Sequence, residues 1–148
     1  MVTTIHPMFI HFPIALIILA GILAIIDFSY QKKDLKEIIL WNLITGSIGA
    51  LIAVLTGIID SNAINQSEAM HSIMEIHEKL GYSVLIISII LSVWFLWRRK
   101  IMQRKENLYF VLSLSGIMTI IVMTGYVGGK TVYNYGAGVK QSIEKNVK

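Results

Sequence analysis

Cysteine is absent from the 148 residues. Disulfides, thiolate metal sites, iron–sulfur ligation and cysteine nucleophiles are thereby excluded. Charge is scarce: 15% of residues are charged against 55% apolar. The mean hydropathy of +0.67 is too high for an ordinary soluble domain. Proline occurs only at Pro7 and Pro13. No Lys or Arg precedes Lys32, so the basic leader of a cleaved signal peptide is missing and the first apolar segment is expected to stay as a membrane span. There is no nucleophile beside a plausible base, no phosphate-binding loop and no file of charges crossing the membrane. Whether the protein is an enzyme stays open.

Four stretches are apolar and long enough to cross about 30 Å of hydrocarbon: 12–28, 38–59, 80–97 and 108–127. Little chain remains outside them. The expected fold is a single all-α domain, an integral membrane four-helix bundle whose first partner is the lipid bilayer. A pI near 9.4 would suggest nucleic acid for a soluble protein. Here Lys32, Lys33, Lys36, Arg98, Arg99, Lys100, Arg104 and Lys105 crowd into two short loops, where they set orientation and leave no nucleic-acid patch. The opposite side has Lys79 near the bilayer and Lys130, Lys140, Lys145 and Lys148 in the tail. Both the N and C termini are therefore expected outside, in a multi-pass protein of a bacterial cytoplasmic (inner) membrane. Tyr30, Trp41, Trp94, Trp97 and Tyr109 fall at the inner ends, as interfacial anchors do. Asp27 is expected there too, solvated among the headgroups.

The first helix is expected to start near Pro7, with Pro13 inside it and a kink near Phe9. The second carries Gly46, Gly49, Ala53 and Gly57, a smooth face for another helix or a flat cofactor, and is expected to end at Thr56–Asp60. After a polar loop with Asn65 and Gln66, Ser67 is a plausible N-cap for a third helix from Glu68 to about Arg99. The fourth is expected to end at Thr124–Gly129, followed by a turn-rich tail to Val139 and a polar end.

All four histidines lie before the first or third span: His6 and His11, then His71 and His77. If helices alternate in direction, these four share one end of the bundle, at the outer face. Each half of the chain also reads as a His pair, a helix, a basic loop and a helix closing in Thr-Gly. His11 precedes Gly57 by 46 positions and His77 precedes Gly125 by 48. Such a repeat would set His11 opposite His77 across a pseudo-twofold axis normal to the membrane.

Read together, His6-Pro-x-x-x-His11-Phe-Pro-Ile, Thr56-Gly-x-x-Asp60, the His77 region and Gly125-Tyr-x-Gly-Gly-x-x-Val-Tyr-x-x-Gly-x-Gly-Val139 resemble the bacterial membrane family catalogued as domain of unknown function 2231. The resemblance covers essentially the whole chain. It implies a four-helix membrane domain without a settled activity, and a redox setting, because some relatives carry the domain beside Rieske or cytochrome modules. Many relatives have a histidine after the Gly-Gly pair and a basic residue or histidine a little later. Here those places hold Lys130 and Asn134-Tyr135.

Three readings of the histidines follow. In the first, His11 and His77 are axial ligands of heme b between the first and third helices, with Gly81 one turn from His77 leaving room for the porphyrin and Gly57 closing the site. They are favoured over His6 and His71 because they lie deeper along their helices. The function would be heme binding or electron transfer at the outer face, with a redox partner or a quinone. In the second, a transition metal ion is held by some of His6, His11, His71, His77, Glu68 and Asp60, with Glu68-Ala-Met-His71 as a single Glu-x-x-His. Asp60 suits a residue that orients a ligand better than a ligand itself. In the third, the histidines are structural caps of a membrane subunit without catalysis. Association with further copies of the chain is compatible with all three.

Overall fold

The computed structural model describes residues 5–30, 35–63 and 67–137. Lys32 and Lys33 of the first basic loop, Asn65 and Gln66, and the tail from Gly138 to Lys148 lie outside the described residues. The rest forms four helices: α1 (His6–Tyr30), α2 (Leu35–Ala63), α3 (Glu68–Arg98) and α4 (Arg104–Tyr135). Each contains a stretch long and apolar enough to cross a membrane.

Each helix packs on its two neighbours in the ring order α1, α2, α3, α4, with α1–α2 the most extensive interface and α1–α4 the slimmest. The pairing residues fix the directions. Gly57 meets His6, Gly49 meets Pro13 and Gly46 meets Ile17, so α2 runs antiparallel to α1. Gly21 meets Met118 and Asp27 meets Asn107, so α4 does the same on the other side. The small face of α2 is thus a helix-packing surface. A Cβ at Gly49 would lie 3.2 Å from Phe12 Cδ1 and from Cβ and Cδ of the Pro13 ring. That ring cannot rotate away. Gly49→Val is expected to cost about 1–3 kcal/mol by overpacking, whereas Gly116→Ala, where an added Cβ meets nothing within 4 Å, gains up to about 1 kcal/mol of helix propensity. Thermal unfolding in detergent should order the two on opposite sides of the wild type.

The dense core fills the half away from the histidines. Phe95 and Phe110 stack with centroids 4.3 Å apart, surrounded by buried Ile17, Leu43, Leu91, Leu114 and Ile117. Ser47 on α2 and Ser92 on α3 share a hydrogen bond of 3.1 Å inside it, which satisfies both hydroxyls where no water reaches. Outside the core, Leu19, Ile22, Ile48, Ile86, Ile90, Leu112 and Val122 point outward. Such a surface would aggregate in water and suits lipid. Trp41, Trp97, Tyr30 and Tyr109 are exposed at the end opposite the histidines. Trp94 differs: it is turned inward onto Phe110, at 5.7 Å, and packs against the core.

The end opposite the histidines is tied by ion pairs. Arg99 grips both oxygens of Glu37, at 3.1 and 3.2 Å; Arg98 meets Glu106 at 2.6 Å; and Lys36 donates to the Arg99 carbonyl oxygen. Asp27 is not solvated at this end. It is 3% exposed, accepts a 3.4 Å hydrogen bond from Asn107 through Oδ2, and leaves Oδ1 without a partner among the described residues. The helical register that turns Ala20 and Ala24 into the bundle carries Asp27 in with them.

Helix ends also shift from expectation. Ser67 does cap α3, its side chain accepting from the Met70 amide. But α2 continues past Asp60 to Ala63, and α4 runs through Gly128 and Gly129 to Tyr135, stopping at Gly136 in the left-handed region (φ 67°). Two glycines cost a helix about 2 kcal/mol together, and packing offsets this: Thr131 is buried and Gly128 lies against a histidine ring.

Candidate functional site: the histidine cleft

Beyond Ile17, Ala50, Val84 and Ile121 the four helices leave an open cleft of about 640 Å³ at the histidine end. This lies within the usual range of small-molecule sites, about 300–1,000 Å³. Its walls are mostly apolar, with His6, His11, Asp60, His77, Glu78, Tyr82 and Tyr133 as the ionisable lining residues.

Two histidines face each other across it. The rings of His6 on α1 and His77 on α3 have centroids 6.1 Å apart and planes 87° apart. Each ring is anchored on the helix that follows its own. His6 Nδ1 lies 2.8 Å from the Ala53 carbonyl oxygen, with Thr56 Oγ1 at 3.4 Å; His77 Nδ1 lies 3.1 Å from the Thr124 carbonyl oxygen. A carbonyl oxygen only accepts, so in each neutral ring Nδ1 carries the proton and donates it. The lone pair is left on Nε2, and neither Nε2 has a hydrogen-bond partner among the described residues. The start of α1 is pinned as well, because the His6 backbone amide donates to Asp60 Oδ2 at 2.8 Å. Asp60 thus orients His6 through the backbone.

Glycine makes both anchors fit. A Cβ on Gly57 would come within 3.3 Å of His6 Nδ1, and one on Gly128 within 2.8 Å of His77 Cε1. One offset along the chain carries His6 to His77, Ala53 to Thr124 and Gly57 to Gly128, and donor and acceptor are 47 residues apart in both halves. The internal repeat is present, in a different register from the Thr-Gly alignment. It matches His77 with His6, and His11 with Tyr82.

The other expected site residues are distributed around this pair. His11 lines the cleft from an exposed position on α1. Gly81 also lines it, with nothing within 4 Å of where a Cβ would stand. His71 lines a smaller pocket of about 290 Å³ with Ser61, Asn62, Glu75, Glu78 and Tyr82, which adjoins the cleft. Glu68 is exposed in the first turn of α3 and lines neither. Among the described residues no three His, Cys, Asp or Glu side chains are grouped to hold a metal ion. Gly128, against which the His77 ring packs, was not anticipated; Thr124 enters through its carbonyl oxygen, at the Thr-Gly of the fourth helix.

No curated protein matches the chain, and no solved structure does. The family model described as "Predicted membrane protein (DUF2231)" matches residues 2–141, which agrees with four membrane-length helices. The chain belongs to that family and is a multi-pass membrane protein in contact with the lipid bilayer.

Proposed function

We propose that this protein is a b-type heme-binding, electron-transfer module of a bacterial cytoplasmic membrane, with its site at the outer face. The observation that carries the reading is the facing His6–His77 pair. Two imidazoles bound on opposite sides of one metal, with metal–nitrogen bonds of about 2.0–2.1 Å, have ring centres about 6 Å apart, close to the 6.1 Å between these rings. Both rings are held by Nδ1 on backbone carbonyls, the arrangement that directs Nε2 toward a metal and raises its basicity. These two residues are the ligands in this reading, and His11 takes a place on the rim. The apolar floor at Ile17, Val84 and Ile121 keeps water from the ring face. None of the lining residues is Lys or Arg, so none of them would pair with the propionates of a heme held by His6 and His77. Heme supplies a one-electron couple there, for a redox protein or a quinone.

A structural reading has one observation in its favour: each Nδ1 bond also stitches one helix to the next. The visible spectrum of the purified protein separates the two. A reduced b-type spectrum after heme loading supports the first, and its absence leaves the histidines as stitches or as partial ligands of a non-heme metal.

The outer placement rests on the basic loops. Reporter fusions after Lys36 and Lys105 are expected to read cytoplasmic and one after Ser61 external; the reverse pattern would put the cleft on the inner face.

A further inference from the structure

The end opposite the histidines carries more positive charge than its carboxylates neutralise. Glu37 is taken by Arg99 and Glu106 by Arg98, and Asp27 is buried on Asn107. Among the described residues Lys36, Lys100, Arg104 and Lys105 are in no ion pair. Lys36 donates to a carbonyl oxygen, and the charge of Lys100 acts on Glu37 of α2. Arg104 is placed differently, over a ring of another helix: its guanidinium carbon is 5.6 Å from the centre of the Phe28 ring on α1. A guanidinium over an aromatic face keeps its N–H donors free, and those of Arg104 have no hydrogen-bond partner among the described residues.

Arg104 stands at the end of the seam between α1 and α4. Phe28 opposite Arg104, Asp27 opposite Asn107 and Gly21 opposite Met118 mark its course, and it is the slimmest of the four neighbour interfaces. Ile25 and Leu108, one turn from Phe28 and from Arg104, are exposed, as are Ile22 and Leu112 one turn further on. They form an apolar strip beside the seam. Phe28 closes the apolar stretch 12–28 and Arg104 just precedes the stretch 108–127. The guanidinium is therefore at headgroup level, and the strip runs from it into hydrocarbon.

We infer that an anionic phospholipid of the membrane, such as phosphatidylglycerol, binds here, its phosphate on Arg104 and an acyl chain along the strip. Charge selects this occupant. A hydrocarbon alone would leave the guanidinium unanswered, and a zwitterionic lipid brings a cation of its own. Arginine takes phosphate through two parallel N–H bonds, and basic pockets between membrane helices hold such headgroups. Lys105, next in the chain and exposed, adds a second cation. The lipid bridges α1 and α4 where protein contact is thinnest, so it steadies that seam. The site is at the other end of the bundle from the cleft and needs neither heme nor an assignment of inner and outer faces.

The test titrates the delipidated full chain in neutral detergent with phosphatidylglycerol, with phosphatidylcholine of the same chains and with inorganic phosphate. Native mass spectrometry counts the retained lipid, and thermal unfolding reads the seam. Phosphatidylglycerol is expected to stay bound and to raise the unfolding temperature, phosphatidylcholine to be retained several-fold less, and phosphate to do neither. Arg104→Gln should weaken phosphatidylglycerol retention several-fold. Arg104→Lys, which keeps the charge without the paired donors, should fall between. Lys100→Gln removes the same charge on the α2 side and should retain the lipid as the wild type does. Both glutamine variants replace exposed side chains, so helical circular dichroism should not change. Equal loss in both would reduce the site to diffuse charge and overturn it. So would equal retention of phosphatidylcholine, which marks a seat for lipid tails alone, equal stabilisation by phosphate, which marks a free-anion site, or no retained lipid at all.

Discussion

His6→Ala and His77→Ala are each expected to abolish the reduced b-type spectrum of the heme-loaded protein, while His11→Ala and His71→Ala should leave most of it. The expectation follows from which rings face each other. His6 and His77 are 6.1 Å apart at their centres with Nδ1 occupied, so each offers one nitrogen and neither has a substitute nearby. His11 is on the rim, and His71 lines a separate pocket. The alanine variants should still fold: a single hydrogen bond contributes about 0.5–1.5 kcal/mol, and the core around Phe95 and Phe110 is untouched. Helical circular dichroism and elution volume check this. Equal loss in all four variants would point to a multi-histidine metal site, and loss in His11→Ala alone with His77→Ala would restore the deeper pair as ligands.

Gly128→Val has an effect of comparable size without touching a histidine. A Cβ there would stand 2.8 Å from His77 Cε1 and 3.0 Å from Nδ1, closer than real contacts allow. The ring must swing, and the 3.1 Å bond to Thr124 goes with it. Heme affinity is expected to fall by about tenfold or more, the change typical of losing a partner that orients a metal ligand. Gly57→Val should do less, since its Cβ would reach 3.3 Å from His6 Nδ1 and Asp60 still holds the His6 backbone. Gly129→Ala, next door, meets only Tyr133 Cδ2 at 4.0 Å and should do nothing. Heme titrations that fail to rank the three in this order would remove the glycines from the site.

The four helices were legible because an apolar run of membrane length has few other uses, and the common end of the histidines followed from helix direction. The identity of the facing pair was not. Counting residues along a helix gives depth but not face, and His6 and His11, five residues apart, point well away from each other around α1. The Thr-Gly dipeptides misled the repeat, since Thr56-Gly57 and Thr124-Gly125 look alike while the structural partner of Gly57 is Gly128. A search for one constant offset would have found it. Asp27 was misplaced for a related reason: proximity to the helix end suggested headgroups, whereas rotation about the axis buried it against α4.

The two imidazole anchors lie each within one half of the chain, and this bears on how the protein is made. Synthesis proceeds from the N terminus, so α1 and α2 can pair and set His6 on Ala53 before the second half exists. His77 reaches Thr124 once α4 has been inserted. Until then Asp27 on the first helix waits for Asn107 on the last, its hydrogen-bond donor among the described residues. The space between the rings does not exist in either half. It is created when the halves dock, and a ligand that spans both rings acts as a latch on that final closure.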